Sequence, residues 1–100
     1  MRLKTHMRAG ALLRAAQGRG LFATVLRRGD PDGGVLFVCV RRGGDLRLYA
    51  EDGDGFAARG DGFLPQAEVD ALIAREAEFD RDLWVVEIEG PGAEDFVEGR

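Results

Sequence analysis

Glu76 is the residue whose position least suits its type in this 100-residue chain. Helical rotation sets it inside an apolar stripe made by Val69, Leu72, Ile73 and Ala77, and a half-buried carboxylate needs a partner. Two chemistries follow. Either an arginine such as Arg27, Arg28 or Arg47 makes a structural ion pair with it, which is the preferred reading, or the carboxyl stands in a ligand cleft with a shifted pKa. Other ionisable candidates are thinner. His6 is the sole histidine and serine is absent, so neither a Ser/His/Asp arrangement nor a histidine metal triad is available. Cys39 lies mid-strand between valines, where a thiol acts as a small inert hydrophobe. Asp52-Gly53-Asp54-Gly55 opens like a calcium loop, but Phe56 and Phe63 occupy ligand positions, so a turn explains it better. No catalytic residue, metal or cofactor is expected.

The order of elements and the Pro31-Asp32 pair resemble the core of the PD-(D/E)xK nucleases. Such enzymes place an acid and a lysine one residue apart on the next strand to hold a metal and steady a water. Here those positions are Val38 and Val40, and the only lysine is Lys4. Asp45 and Arg47 repeat the spacing one strand later, yet arginine substitutes poorly for a lysine that positions water. Nuclease chemistry is therefore disfavoured. Arg28-Gly29-Asp30 and Arg59-Gly60-Asp61 spell an adhesion tripeptide twice, and in a chain with fifteen glycines turn chemistry accounts for both.

Charge is split end to end. Residues 1–50 carry ten cations against three acids, a net of +7, whereas residues 51–100 carry four cations against fifteen acids, a net of −11. Such a split either addresses a partner or cancels inside the fold. Arg2, Lys4, Arg8 and Arg14, on or just before the first helix, are the nucleic-acid candidates, a weaker alternative because phosphate binding needs a concentrated basic face and the overall charge is −4. Arg27-Arg28 and Arg41-Arg42 make no single patch, since neighbours on a strand point to opposite faces.

These residues have to be positioned by a small fold. The spacing predicts a helix over 5–17, with Ala9, Leu12, Leu13 and Ala16 on one stripe, Thr5 as its cap and Gly18 and Gly20 as its stop. Strands follow at 21–28, 35–42 and 45–50, with a weaker one at 56–59. The first two should form a hairpin around the glycine- and aspartate-rich 29–34 segment, and Gly43-Gly44 should turn the next. A second helix begins at Pro65 and runs to about Phe79, then a strand at 83–89 puts Trp84, Val86 and Ile88 on one face. The class is α+β: a two-layer sandwich with an antiparallel sheet of four to five strands and two helices, in the order α-β-β-β-(β)-α-β. Residues 1–89 make one domain and 90–100 a flexible tail. The run Val35-Leu36-Phe37-Val38-Cys39-Val40 is apolar on both faces, as a central strand is.

With both helices on one face, the other face needs a cover, which points to a homodimer through that face. No apolar run is long enough to span a membrane, and a lone cysteine suits the cytoplasm. The stretch Ala74-Arg75-Glu76-Ala77-Glu78-Phe79-Asp80-Arg81-Asp82-Leu83-Trp84-Val85-Val86-Glu87-Ile88-Glu89, with the VLFVCV strand and the Leu-Pro-Gln-Ala-Glu-Val-Asp helix start, resembles a small bacterial family, a domain of unknown function found mostly in alphaproteobacteria. The resemblance implies a stand-alone bacterial domain and transfers no catalytic residue. The leading expectation is a non-enzymatic, self-associating protein-interaction module. A ligand or enzymatic site around Glu76 is the remaining alternative.

Overall fold

A computed structural model describes residues 3–100. The elements are α1 (Thr5–Gly18), β1 (Phe22–Arg27), β2 (Leu36–Arg42), β3 (Asp45–Asp52), β4 (Gly55–Pro65), α2 (Gln66–Phe79), β5 (Trp84–Glu89) and α3 (Ala93–Glu98). The α+β class and the expected element order hold. The five strands form one open sheet in the order β1-β5-β2-β3-β4. No helix among the described residues is long and apolar enough to cross a membrane.

Topology departs from the expected hairpin. β5 inserts between β1 and β2, pairing antiparallel with β1 (Phe22↔Glu89, Thr24↔Glu87) and parallel with β2 (Phe37↔Val85, Val38↔Val86), so the sheet is mixed rather than antiparallel. The 29–34 segment is too long for a two-residue hairpin turn and instead wraps the start of β5. Asp30 N–H donates to Asp82 O at 3.3 Å, and Trp84 Nε1–H donates to Asp30 O at 2.7 Å. A side chain at Gly29 would place its Cβ 1.8 Å from Asp82 O, and one at Gly34, where φ is +87°, would lie 1.9 Å from the same oxygen. Only glycine admits that crossing. The first Arg-Gly-Asp tripeptide is thus part of a structural junction.

α1 anchors to the same segment. Thr5 does not cap the helix; Lys4 holds the N-cap position without a side-chain bond, and the buried Thr5 hydroxyl donates to Gly34 O at 2.9 Å. His6 meets Pro31 O through its backbone N–H at 3.1 Å and through Nδ1 at 2.7 Å.

Strand alternation divides the apolar residues between two cores. Leu36, Val38, Val40, Trp84, Val86 and Ile88 pack with Ala9 and Ala16 of α1 and Ala93 and Val97 of α3. Phe37, Cys39 and Val85 face the other way, against Val69 of α2 and its partly buried Leu72, Ile73 and Ala77. The helices therefore lie on both faces and make three layers rather than two. Both predicted helical stripes pack as expected, and each buried Val or Leu contributes about 2 kcal/mol. Residues after Gly90, expected as a tail, form α3, whose Ala93 and Val97, with the partly buried Phe96, join the core that holds Val40 and Tyr49.

Candidate functional site

Part of the charge split is used within the fold. Arg8 of α1 holds Glu51 of β3 with two bonds, Nε–H at 2.8 Å and Nη2–H at 2.9 Å, and Glu51 also accepts from Leu36 N–H at 3.2 Å. Arg41 donates to Glu87 at 3.0 Å and to Gln66, and the Glu87 bond raises its pKa further. Arg42 pairs with Glu94 and lies over the Phe63 ring at 4.1 Å. Arg47 approaches Glu94 at 3.7 Å and Glu98 at 3.5 Å. Each of these pairs joins a cation of the first half to an acid of the second. β3 carries Arg47 and Tyr49 to the surface that α3 covers, and the one-turn spacing of Glu94 and Glu98 presents both carboxylates to them.

Tyr49 is fully buried and donates to Glu98 at 2.5 Å. Burial, then that bond, raise the phenol's pKa, while the same bond lowers that of Glu98, with Arg100 and Arg47 adding to it. Cys39 is buried as expected, and burial, with Glu87 and Asp70 nearby, pushes its thiol to about 12. It is no nucleophile at neutral pH.

The basic helix face is dispersed. Lys4 pairs with Asp32 at 3.4 Å, Arg8 with Glu51, and Arg14 is exposed; Arg2 lies outside the described residues. Glu76 does find an arginine, but it is Arg59 of β4, not Arg27, Arg28 or Arg47. α2 lies over β3 and β4, which brings Arg59 beneath Glu76 and over the Phe37 ring at 5.5 Å. Arg27 instead donates to Arg81 O at 3.1 Å, Arg28 stacks on Trp84 at 5.3 Å, and Arg47 serves α3. Arg59 was legible on the fourth strand, but the pairing that sets it under α2 was not.

Three hollows stand out among the described residues. A cleft of 460 Å³ between the β2–β3 end and α3 is lined by Arg41, Arg42, Arg47, Gly92, Glu94 and Glu98 among others, so its cations already face carboxylates. A hollow of 300 Å³ adjoins Arg8, Glu51 and Phe56, and one of 200 Å³ sits where Gln17 and Leu21 meet Phe22 and Ala23. Glu76 lines none of them. No cluster of three or more His, Cys, Asp or Glu among the described residues could hold a metal. Val38 and Val40 are buried and Asp32 is engaged by Lys4, which removes the nuclease arrangement.

An exposed apolar stretch lies on β1. This strand is one edge of the sheet: Ala23 and Val25 pack into the α1 core, Phe22 and Thr24 share the α2 side with their β5 neighbours Glu89 and Glu87, and Leu26 is exposed at the register shift between Val25 and Arg27. Phe22 is 75% exposed and Leu26 46%, because α2 sits over the far strands and does not reach them. Glu89, the neighbour of Phe22 on β5, and Arg28, just past Leu26, are both exposed and outside any ion pair among the described residues. Sequence reading recognised this strand but paired it with the wrong neighbour. Its alternating pattern, beside the doubly apolar β2, was the available sign of an edge.

A model of a family described as "Protein of unknown function (DUF1491)" matches residues 3–98. Among solved structures, the solution structure of protein Atu0922 from A. tumefaciens is 35% identical, with a TM-score of 0.81 over 98% of this chain and 94% of that one. A crystal structure of a DUF1491 family protein from Caulobacter crescentus is 38% identical, with a TM-score of 0.75 over 90% and 88%. An NMR structure of a DUF1491 family protein from the same organism is 36% identical, with a TM-score of 0.77 over 97% and 94%. Among curated proteins none matches.

Proposed function

Because the chain belongs to the DUF1491 family, whose function is unknown, we propose a reading from its surface: a protein-interaction module that binds a second copy of itself through β1. One observation carries it, the exposure of Phe22 and Leu26 along an edge strand whose Ala23 and Val25 are packed into the core. An edge strand with apolar side chains is a template for pairing with another chain. The expected dimer thus moves from a bare sheet face, which α2 occupies, to the strip that α2 leaves open. The charged surfaces support a non-catalytic role, since their members are committed to one another. A cytoplasmic setting suits the lone thiol of Cys39.

Light scattering over a rising protein concentration tests this. The mass should pass from one chain toward two in the micromolar range, because the strip is smaller than a standard interface. A mass equal to one chain at near-millimolar concentration would remove self-association.

A further inference from the structure

α3 is the element whose hold on the fold rests most on charge. At six residues it is well below the roughly 12 at which a helix begins to persist in water by itself, so its form depends on what it is seated against. Ala93 and Val97, with the partly buried Phe96, give it one small apolar side. The other contacts are ionic or charge-assisted: Glu94 pairs with Arg42 and Arg47, and Glu98 with Arg47, Arg100 and the Tyr49 hydroxyl. The sheet beneath does not need α3 for its ladder, because β2 is paired on both sides, by β5 and by β3.

The charged contacts are also loosely fitted. Arg47 approaches the two carboxylates at 3.7 and 3.5 Å, longer than a good hydrogen bond, and its buried Nε finds no acceptor among the described residues. Arg42 and Arg100 are exposed, so dissolved ions reach them. The 460 Å³ cleft between α3 and the β2–β3 end runs along the same charges and brings water to them while the helix is still seated.

A pivot lies at the start of the helix. Gly90 is held against Leu21, whose Cδ2 would stand 3.0 Å from an added Cβ. Gly92, the N-cap of α3, has a φ of +81° and no atom within 4 Å of where a Cβ would be. Rotation at Gly92 therefore swings α3 away without moving the end of β5.

We infer that α3 is a charge-latched strap, which opens about Gly92 as a unit while the five-stranded sheet stays folded, and that ionic strength sets how often it does so. Opening breaks the Tyr49–Glu98 bond, bares the hydroxyl of the chain's only tyrosine, and parts Arg42 and Arg47 from the carboxylates that cover them.

Hydrogen exchange of the intact chain, read by mass spectrometry, tests the strap. Between about 0.1 and 1 M NaCl the Debye length falls from about 10 to about 3 Å, which weakens partly exposed pairs most. Amides of α3, such as that of Phe96 on Gly92 O at 2.9 Å, should exchange at least about 100-fold faster than those of β2 and β5. The higher salt should speed α3 by about a further fivefold and leave the sheet unchanged. Acetylation of Tyr49 by N-acetylimidazole should rise by the same factor against a free tyrosine amide, with the fluorescence of Trp84, the only tryptophan, constant. Glu94→Gln removes two pairs but keeps the Tyr49–Glu98 bond; it should speed α3 exchange about fivefold at low salt and shrink the salt response.

α3 amides that exchange no faster than those of β2 would overturn the inference, since the helix would then leave only with the whole fold. Fast α3 exchange that responds neither to salt nor to Glu94→Gln would overturn charge as the latch. Salt that speeds α3 and the sheet alike would overturn opening as a separate unit.

Discussion

At one end of the sheet, Glu94 and Glu98 of α3 close over Arg42, Arg47 and Tyr49; along the β1 edge, Phe22, Thr24 and Leu26 face solvent. Both regions sit on the same sheet and both begin as a surface that needs covering. The first is covered from within the chain, by an acidic helix seated on basic strands. The second has no such cover because α2 is spent on β3 and β4. The difference teaches how to read the charge asymmetry: Arg8, Arg41, Arg42 and Arg47 use part of it inside the fold, and the surface proposed for a partner is apolar.

The largest expected effect falls on the junction that holds β1 outside β5. Gly29→Ala forces a Cβ onto the Asp82 carbonyl and should cost about 3 kcal/mol in chemical denaturation. A cost near zero would mean that the crossing is loose and the edge not fixed. Tyr49→Phe breaks the bond that seats Glu98 and should cost about 1.5 kcal/mol, as for other hydrogen bonds to a charged group. Unchanged stability would mean that α3 is held by its apolar side alone.

Acid sharpens the same side. Glu98 has a folded pKa below its ordinary value of 4.5, principally through Tyr49, so its stabilising share is present above 4.5 and lost as the pH falls through the lower folded value. Denaturation midpoints followed from neutral into acid should fall through that window in the wild type. Tyr49→Phe should flatten that part of the fall, and an identical profile in the two proteins would count against the Tyr49–Glu98 link. The smallest effect on the fold is on the open side: Phe22→Ser should change monomer stability by less than about 0.5 kcal/mol, since its side chain is already in water.

What sequence reveals here follows the range of the physics. Helical stripes and the doubly apolar β2 are local patterns, and Ala9, Ala16, Val69 and Val38 pack where periodicity puts them. The insertion of β5 between β1 and β2 is a pairing over about half the chain, and it depends on two glycines meeting one carbonyl, which no local pattern displays. That error propagated to the candidate site. With β1 assigned to a hairpin, its neighbour in the sheet was wrong, and with both helices on one face, Glu76 was matched to arginines it does not meet. The partial burial of Glu76 and the inertness of Cys39 were legible because each depends on its own element alone.

The central claim is that the apolar strip of β1, and no charged surface, is where this chain meets another copy. Sedimentation equilibrium of the wild type beside Phe22→Asp tests it most directly. The account predicts a wild type that dimerises as concentration rises and a folded Phe22→Asp protein that stays at one chain throughout; equal masses for the two proteins at every concentration would contradict it.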